Sequence, residues 1–257
     1  MTQPLHLVRL SLDARKLYAF ARRSRAAGRD DIDEGYAVHA VLAALFDHKA
    51  PEKERVAPKP FHVASSGAHR LDVLGYASLD HVALGERAKT FAEPDAWSVC
   101  DFDAFSSKPM PTHFEVGTRL GFAVRACPVR RIAKRGPMTS ERAEVDAFLA
   151  RSWEVGPDVK LDREEVYRDW LAEEMGKEGA ARLLRAEVKS FQLDRLHRRT
   201  QGEDRKRREP KRPDVRFEGV LEVASAQAFA VRLARGVGRH RAFGFGMLLL
   251  RPAPAPR

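Results

Sequence analysis

Polar and apolar residues alternate in several short stretches of the first half of the chain, and two longer stretches repeat at helical spacing. The clearest helix follows Asp33, a suitable N-cap, and its apolar residues fall at i, i+3, i+4, i+7 and i+8 from Val38. This half therefore has a predicted strand–helix–strand–strand–helix–strand order. The predicted elements are strands at 5–12, 61–64, 71–76 and 119–125, helices at 34–48 and 79–90, and a Pro-rich turn at 107–111.

The second half repeats this theme. The pattern predicts helices at 140–152, 163–175 and 226–235, strands at 181–193, 215–223 and 245–250, and a tail at 252–257. The order indicates an α+β protein built from two split-βαβ units in tandem. We expect the boundary between residues 128 and 134, which gives an N-terminal domain at 1–130 and a C-terminal domain at 131–257.

The composition is that of a globular chain, with 44% hydrophobic and 32% charged residues in 257. No apolar run approaches the roughly 18–20 residues of a membrane span. The first twelve residues alternate around Arg9 and are predicted to form a strand rather than a signal peptide. Cys100 and Cys127 lack the spacing of a metal site and the density of a disulfide scaffold. We expect both to be reduced, in a cytoplasmic protein.

Positive charge is in excess and is clustered. The formal net charge is +10 and the isoelectric point is near 9.9, which favours a polyanionic partner, nucleic acid before an acidic membrane. None of the predicted helices has the basic amphipathic pattern of a membrane-surface helix. Solubility alone is the alternative explanation for the charge.

One segment, residues 195–212, has nine Lys or Arg against three acidic residues. It contains Gly202 and Pro210 and lies between two strand-like stretches, so we predict a long, mobile hairpin loop, here called the basic arm. It could neutralise phosphates beside an RNA groove; the alternative is a solvated linker. The candidate RNA-binding residues are Arg195, Arg198, Arg199, Arg205, Lys206, Arg207, Arg208, Lys211 and Arg212.

A glycine-rich loop precedes the last predicted strand, with four glycines in the eleven residues of GVGRHRAFGFG. Glycines allow positive φ and close backbone approach, and the cations at the tip could contact phosphates. The loop follows a helix and precedes a strand, the reverse of a Rossmann turn, so it does not fit a nucleotide fingerprint. Its candidate RNA-binding residues are Gly236, Gly238, Arg239, His240, Arg241, Gly244 and Gly246.

Tyr36 and His39 lie three residues apart at the start of the first predicted helix, so they share a face away from the apolar stripe. The positive end of the helix dipole favours a bound phosphate there and lowers the pKa of the imidazole. A histidine that titrates near neutrality can do general acid–base work on a phosphate. The alternative is an ordinary surface or half-buried aromatic pair, because Tyr-x-x-His is a common pattern.

Together these motifs resemble the type I-E CRISPR repeat-processing endoribonucleases, the CasE/Cse subunit of the Cascade complex. The landmarks run in family order from residue 5 to 252, and the closing glycine-rich loop with its strand is the most specific. The chain departs from shorter family members between residues 61 and 111, where the role of the added residues stays open. The matching pieces are Tyr36-x-x-His39, Pro58-Lys59-Pro60-Phe61, Val124-Arg125-Ala126, Phe217-Glu218-Gly219-Val220-Leu221 and GVGRHRAFGFGMLLLRP.

The resemblance implies two tandem ferredoxin-like (RRM-like) domains and metal-independent cleavage of CRISPR repeat stem-loops in precursor crRNA. His39 would then be the acid–base residue and Tyr36 its partner, and the products would carry 2′,3′-cyclic phosphate and 5′-hydroxyl ends. The implied partners are the repeat RNA hairpin and other Cascade subunits, especially the backbone subunit beside the 3′ hairpin of the crRNA. No cofactor, metal or membrane is implied, and the product hairpin would stay bound.

The sequence gives less support to metal-dependent catalysis or to a Ser or Cys nucleophile. The remaining histidines form no metal-ligand spacing, and Asp101 and Asp103 have no third carboxylate nearby in sequence. No nucleophile elbow surrounds a Ser or Cys. The runner-up is a non-catalytic RNA-hairpin-binding subunit or regulator with the same fold, for which an imidazole beside Tyr36 has no evident use. Whether His39 acts as base or as acid stays open.

Overall fold

The computed structural model describes residues 4–23, 33–65, 67, 69–111, 113–132, 143–195, 198–199, 207–208 and 211–254. The chain divides into two compact units, each discontinuous in sequence. The first comprises residues 1–112, 196–210 and 240–247, and the second comprises residues 113–195, 211–239 and 248–257.

The first unit is a four-stranded antiparallel sheet with helices in its two crossover connections. Its strand order is β2-β3-β1-β4, the order of a split-βαβ fold. A 3-10 helix also occurs at Glu52–Glu54. The elements are β1 (His6–Asp13), α1 (Ala14–Arg23), α2 (Glu34–Phe46), β2 (Phe61–Ser65), β3 (Arg70–Ala77), α3 (His81–Phe91), α4 (Pro94–Trp97) and β4 (Cys100–Pro109).

Helix α2 forms much of the core of this unit. The five apolar residues at helical spacing from Val38 to Phe46 are all buried, as predicted, and pack with the inward residues of β1 such as Leu10. Burying such side chains contributes roughly 1.5–3 kcal/mol each. The opposite side of the first turns of α2 is left half-buried, which is where Tyr36 and His39 lie.

The second unit has the same plan. Its main sheet has the order β12-β5-β11-β8, again antiparallel, and β6 pairs with β7 in a small separate sheet. Two further 3-10 helices occur, at Lys177–Gly179 in this unit and at Arg241–Phe243 in the first unit. The elements of the second unit are β5 (Arg119–Ala126), β6 (Val129–Arg131), β7 (Glu144–Asp146), α5 (Ala147–Val155), α6 (Arg163–Gly176), β8 (Ala181–Arg195), β11 (Lys211–Val223), α7 (Ala226–Arg235) and β12 (Leu249–Pro252). The short strands β9 (Arg198–Arg199) and β10 (Arg207–Arg208) belong to the first unit.

The α+β class with two ferredoxin-like domains is confirmed, because both sheets have the strand order of that fold. The division of the chain nevertheless differs from the expected boundary near residue 130. Strand β5, expected in the first domain, pairs with β11 and β12 in the second sheet. The fourth strand of the first sheet is instead β4, which pairs with β1 at the edge of the sheet. In this region the pattern predicted only a turn at 107–111.

Several element bounds also differ. Helix α1 was not predicted, and α5 begins only at Ala147, after the short strand β7. Strand β12 begins at Leu249 rather than at residue 245, because the segment before it is occupied by the glycine-rich loop. In the part of the chain that the structure describes, no helix is long and apolar enough to cross a membrane.

The basic arm is more ordered at its base than the predicted mobile loop. Strands β8 and β11 continue into it, with Arg195 paired to Lys211 and Arg212 paired to Asp194. Further out, β9 and β10 pair with each other. The side chains of residues 195–210 lie outside the described part of the chain, as do Arg205 and Lys206 entirely.

Candidate functional site

The start of helix α2 positions the predicted Tyr36 and His39 pair. Asp33 is the N-cap, and its carboxylate accepts a hydrogen bond from the Tyr36 backbone N–H at 2.9 Å. The two rings lie side by side, with centroids 6.5 Å apart and planes tilted by 46°. Both side chains are half-buried, so each keeps a solvent-facing edge. The structure therefore brings the two predicted residues together, as the spacing requires.

A third ring completes this group, which we call the aromatic cluster (Tyr36, His39 and Phe243). Phe243 stacks on Tyr36 with centroids 5.7 Å apart and an interplanar angle of 18°, and its centroid is 6.4 Å from that of His39. The approach depends on Gly35, where a Cβ would lie 2.2 Å from the Phe243 carbonyl oxygen. Sequence reasoning singled out the loop that contains Phe243 but not Phe243 itself.

The surroundings of His39 lower the pKa of its imidazole below the ordinary value of 6.5. The largest cause is burial, which penalises the charged form, and the cations Lys59 and Arg55 act in the same direction. Asp47 opposes them. The net effect keeps His39 neutral at physiological pH, which is the form that can accept a proton.

The segment that carries Lys59 is fixed by backbone contacts rather than by its own side chain. Asp47, at the end of α2, accepts hydrogen bonds from the backbone N–H groups of Val56 and Ala57 at 2.7 and 3.1 Å. Further along, Lys59 donates its N–H to the Tyr76 carbonyl at 2.8 Å. The exposed Lys59 side chain is thus held near His39 by a turn anchored at both ends.

Sequence reasoning missed Lys59 and Arg55 as site residues. Lys59 is part of the Pro58–Phe61 segment that matches the family. That match could have marked the segment, but not Lys59 in particular, as part of the site. No periodicity marks either residue, because both lie in a loop whose position is set by the cap at Asp47 and by pairing with β3.

All four glycines of the glycine-rich loop have positive φ, as the motif suggested: 77°, 70°, 80° and 80° at Gly236, Gly238, Gly244 and Gly246. Packing also favours glycine at position 238, since a Cβ there would lie 2.8 Å from the Trp170 ring. Its lack of a side chain is therefore explained by packing inside the protein.

The cationic residues of this loop belong to different units. His240 and Arg241 belong to the first, where the His240 ring meets Phe243 edge-on with centroids 6.1 Å apart. Arg239 belongs to the second unit, where its Nε lies 2.5 Å from Glu144 Oε1. Arg212, from the base of the basic arm, lies 3.9 Å from the same carboxylate.

The aromatic cluster has the groups that proton transfer at a phosphate needs. A neutral, half-buried imidazole lies beside a phenol, with two cations close enough to act on the imidazole. Among the described residues, three or more His, Cys, Asp or Glu do not come together in a way that could hold a metal ion.

Comparison with known proteins gives a consistent result. A family model described as "CRISPR associated protein" matches residues 5–252. The CRISPR-associated endoribonuclease Cse3 of Thermus thermophilus is 31% identical over 177 residues, which are 64% of this chain and 71% of the relative.

Several solved structures share the fold, including the following two. The structure of CRISPR endoribonuclease Cse3 bound to a 19 nt RNA matches with a TM-score of 0.62 and 22% identity, over 97% of this chain and 100% of that chain. A chain of a CRISPR RNA-guided surveillance complex in a pre-nicking state matches with a TM-score of 0.55 and 15% identity, over 96% and 100%. At these identities the likeness concerns the fold.

Proposed function

The chain belongs to the family of CRISPR-associated proteins, and we propose that it is an endoribonuclease that cuts CRISPR repeat stem-loops in precursor crRNA. The observation that carries the proposal is the aromatic cluster, where a histidine with a lowered pKa lies beside a phenol and near two cations. The relative from Thermus thermophilus is named an endoribonuclease, which supports the same activity here.

The proposed chemistry uses the nucleophile that RNA itself provides. The ribose 2′-hydroxyl loses its proton, its oxygen bonds to the adjacent phosphorus, and the bond from phosphorus to the 5′-oxygen breaks. That oxygen gains a proton, so the products are a 2′,3′-cyclic phosphate and a 5′-hydroxyl. Such a reaction needs in-line positioning, proton transfer and cations for the added negative charge, and it does not require a metal ion.

In this reaction His39 transfers a proton and Tyr36 contacts the scissile phosphate or its ribose. The lowered pKa of His39 favours the role of base, because the imidazole is neutral and ready to accept the 2′-hydroxyl proton. Lys59 and Arg55 supply positive charge near His39 that would also stabilise negative charge on the phosphate. Phe243 positions the phenol by stacking on it.

Binding of the stem would rest on shape and phosphates, because A-form RNA hides its bases in a deep, narrow major groove. The basic arm and the glycine-rich loop supply the cations for it. We further propose that the product hairpin stays bound and that the protein acts as a subunit of Cascade. A fold shared with a chain of an RNA-guided surveillance complex supports this assembly.

The test is a cleavage assay on a labelled repeat hairpin in excess EDTA, with wild type, His39→Ala and His48→Ala. His48 is the matched control, since it lies just beyond the other end of α2 and pairs with Glu93 at 2.8 Å. A second substrate replaces the 2′-hydroxyl at the cut site by hydrogen. We expect one cut by wild type and His48→Ala, and intact but bound RNA with His39→Ala or the deoxy substrate.

Each of the other possible results would contradict a different part of the proposed function. Tight binding without cutting by wild type would support the non-catalytic hairpin-binding subunit instead. Cutting that survives in His39→Ala would keep the nuclease and remove His39 from its chemistry. A requirement for added metal would contradict the metal-independent reaction. Mass spectrometry of the 5′ fragment distinguishes a cyclic from a linear phosphate.

A further inference from the structure

Two arginines from separate candidate RNA-binding segments meet at one carboxylate in the second unit. Arg239, in the glycine-rich loop, has its Nε 2.5 Å from Glu144 Oε1. Arg212, at the base of the basic arm, has a terminal nitrogen 3.9 Å from Glu144 Oε2. The Glu144 side chain is only 9% exposed, so its charge is largely removed from water, and both arginines help to balance it.

The backbone around this carboxylate is held by one tryptophan. Glu144 lies in β7, where it pairs with Arg131 of the antiparallel strand β6. The indole N–H of Trp170 donates to the carbonyl of Val129, in the same β6, at 3.3 Å. The ring of Trp170 also packs against Gly238, the residue before Arg239. The segment that carries Glu144 and the segment that carries Arg239 are therefore both fixed to the same side chain.

The three charged groups do not balance by themselves. Two guanidinium groups contact one carboxylate, so this trio carries one positive charge in excess. The nearby Cys127 does not offset it, because burial raises the pKa of that thiol and keeps it neutral. A phosphate diester of RNA carries the single negative charge that would balance the group.

The geometry also leaves donors for such a phosphate. The bond from Arg239 to Glu144 uses Nε, on the inner edge of the guanidinium, and the Arg239 side chain remains 41% exposed. The Arg212 side chain is 17% exposed, and its contact with Glu144 is the longer of the two. An arginine oriented through one edge presents its other edge as a fork, which matches phosphate oxygens in a bidentate manner.

We propose that Glu144 is a positioning residue for RNA binding, which holds Arg239 and Arg212 together as a two-arginine grip for one backbone phosphate. This inference rests on the proposed function, since it takes the hairpin as the ligand. It assigns Glu144 the role of orienting the cations, although its own charge repels RNA.

The opposing charge makes the proposal testable. Glu144→Gln keeps the size of the side chain and removes a negative charge, so the overall electrostatics alone would tighten RNA binding. Loss of orientation predicts the reverse. The matched control is Glu222→Gln, because Glu222 also joins two arginines, Arg119 at 3.3 Å and Arg182 at 2.8 Å, outside the candidate RNA-binding segments.

The measurement is the affinity of each variant for the uncleavable deoxy hairpin over a series of salt concentrations. We expect Glu144→Gln to bind about tenfold more weakly than wild type, as for the loss of one charge-assisted hydrogen bond. The salt dependence should also fall by about one phosphate contact. Glu222→Gln should bind as wild type does or slightly more tightly.

A second variant separates orientation from folding. Arg239→Lys keeps the charge and loses the fork, so it should weaken binding to a similar degree. Adding Glu144→Gln to Arg239→Lys should then cost less than Glu144→Gln costs in wild type, since only the effect through Arg212 remains. If Glu144→Gln does not fold, as judged by its melting curve, normal binding by Arg239→Lys relative to Arg235→Lys, at the end of α7, still overturns the proposal.

Unchanged or tighter binding by a folded Glu144→Gln overturns the proposal, and tighter binding would mean that Glu144 competes with RNA for Arg239. Additive losses in the double variant, or normal binding by Arg239→Lys, also overturn it. A wild-type protein that does not bind the hairpin is a different result, which refutes the proposed function itself.

Discussion

Gly35 and Phe243 lie so close that a single added methyl group at Gly35 would come within 2.2 Å of the Phe243 carbonyl oxygen. The clash is with backbone, which cannot move aside as a flexible side chain does. The first turn of α2 and the end of the glycine-rich loop are thus fitted together at a position that only glycine allows. The stacking of Phe243 on Tyr36 depends on this fit.

Gly35→Ala should therefore displace residues 240–247 from α2 and disturb the aromatic cluster. We expect a loss of cleavage rate of at least about tenfold and a lower melting temperature, although alanine favours helix formation by about 1 kcal/mol over glycine. The control is Gly85→Ala in α3, where a Cβ meets no atom within 4 Å. That variant should be slightly more stable and fully active; equal behaviour of the two would contradict the proposed fit.

Lys59→Gln should raise the pKa of His39 towards its ordinary value of 6.5, because it removes a cation that disfavours the protonated imidazole. Burial remains, so the shift should be partial. The imidazole titration is followed by NMR, and the acidic limb of the cleavage rate should move to higher pH with it. Lys53→Gln makes the same change of charge on the neighbouring 3-10 helix and should leave the His39 pKa where it is.

The lowered pKa of His39 also determines how folding stability changes with pH. His39 has a lower pKa in the folded state than in the unfolded chain, so the unfolded chain binds more protons as the pH falls through 6.5. Folding stability from this group is complete above that pH and is lost below it. The loss on acidification should be smaller in Lys59→Gln than in wild type, as measured by melting temperature between about pH 7.5 and 5.5.

Helix α2 shows what the sequence could predict. Its N-cap, its apolar stripe and the shared face of Tyr36 and His39 follow from local spacing alone, and the structure has all three. The two split-βαβ units also follow from the order of periodic segments. Local patterns of this kind carry enough information because cap, stripe and face lie within a few turns of one helix.

The roles of Phe243 and Lys59 could not be predicted from the sequence. Each reaches the site through contacts between residues distant in sequence, across the close approach at Gly35 or through the anchored turn after Asp47. Strand β4 was missed for another reason: its middle, DFDAFSSK, has few aliphatic residues and ends at a proline. Its place in the sheet is fixed by pairing with β1 rather than by its own propensity.

The N-cap of α2 should matter for cleavage beyond its contribution to stability. Asp33→Ala removes the hydrogen bond from the Tyr36 N–H and should cost about 1 kcal/mol. Asp80→Ala removes the equivalent cap of α3, where the carboxylate accepts from the Ala83 backbone N–H at 2.8 Å, and should cost a similar amount. We expect only Asp33→Ala to lower the single-turnover cleavage rate, since it frees the turn that carries Tyr36. A rate lowered equally by both would mean that general stability is responsible.

Arg125 should prove to be a structural residue. Its guanidinium binds Asp214 through two hydrogen bonds of 2.9 Å each, and Gln192 donates to the same carboxylate at 3.0 Å. Asp214 is nearly buried, so Arg125→Met should leave a carboxylate without its main partner and cost about 3 kcal/mol.

The control for this variant is Arg130→Met. Arg130 also contacts both oxygens of one carboxylate, Glu173, at 2.7 Å, but the pair is exposed and should contribute less than about 1 kcal/mol. Melting temperatures should therefore fall clearly for Arg125→Met and little for Arg130→Met. The double variant Arg125→Met with Asp214→Leu should recover much of the loss, because it removes the stranded charge as well. A double variant as unstable as Arg125→Met alone would show that packing around Arg125, rather than the buried charge, is responsible.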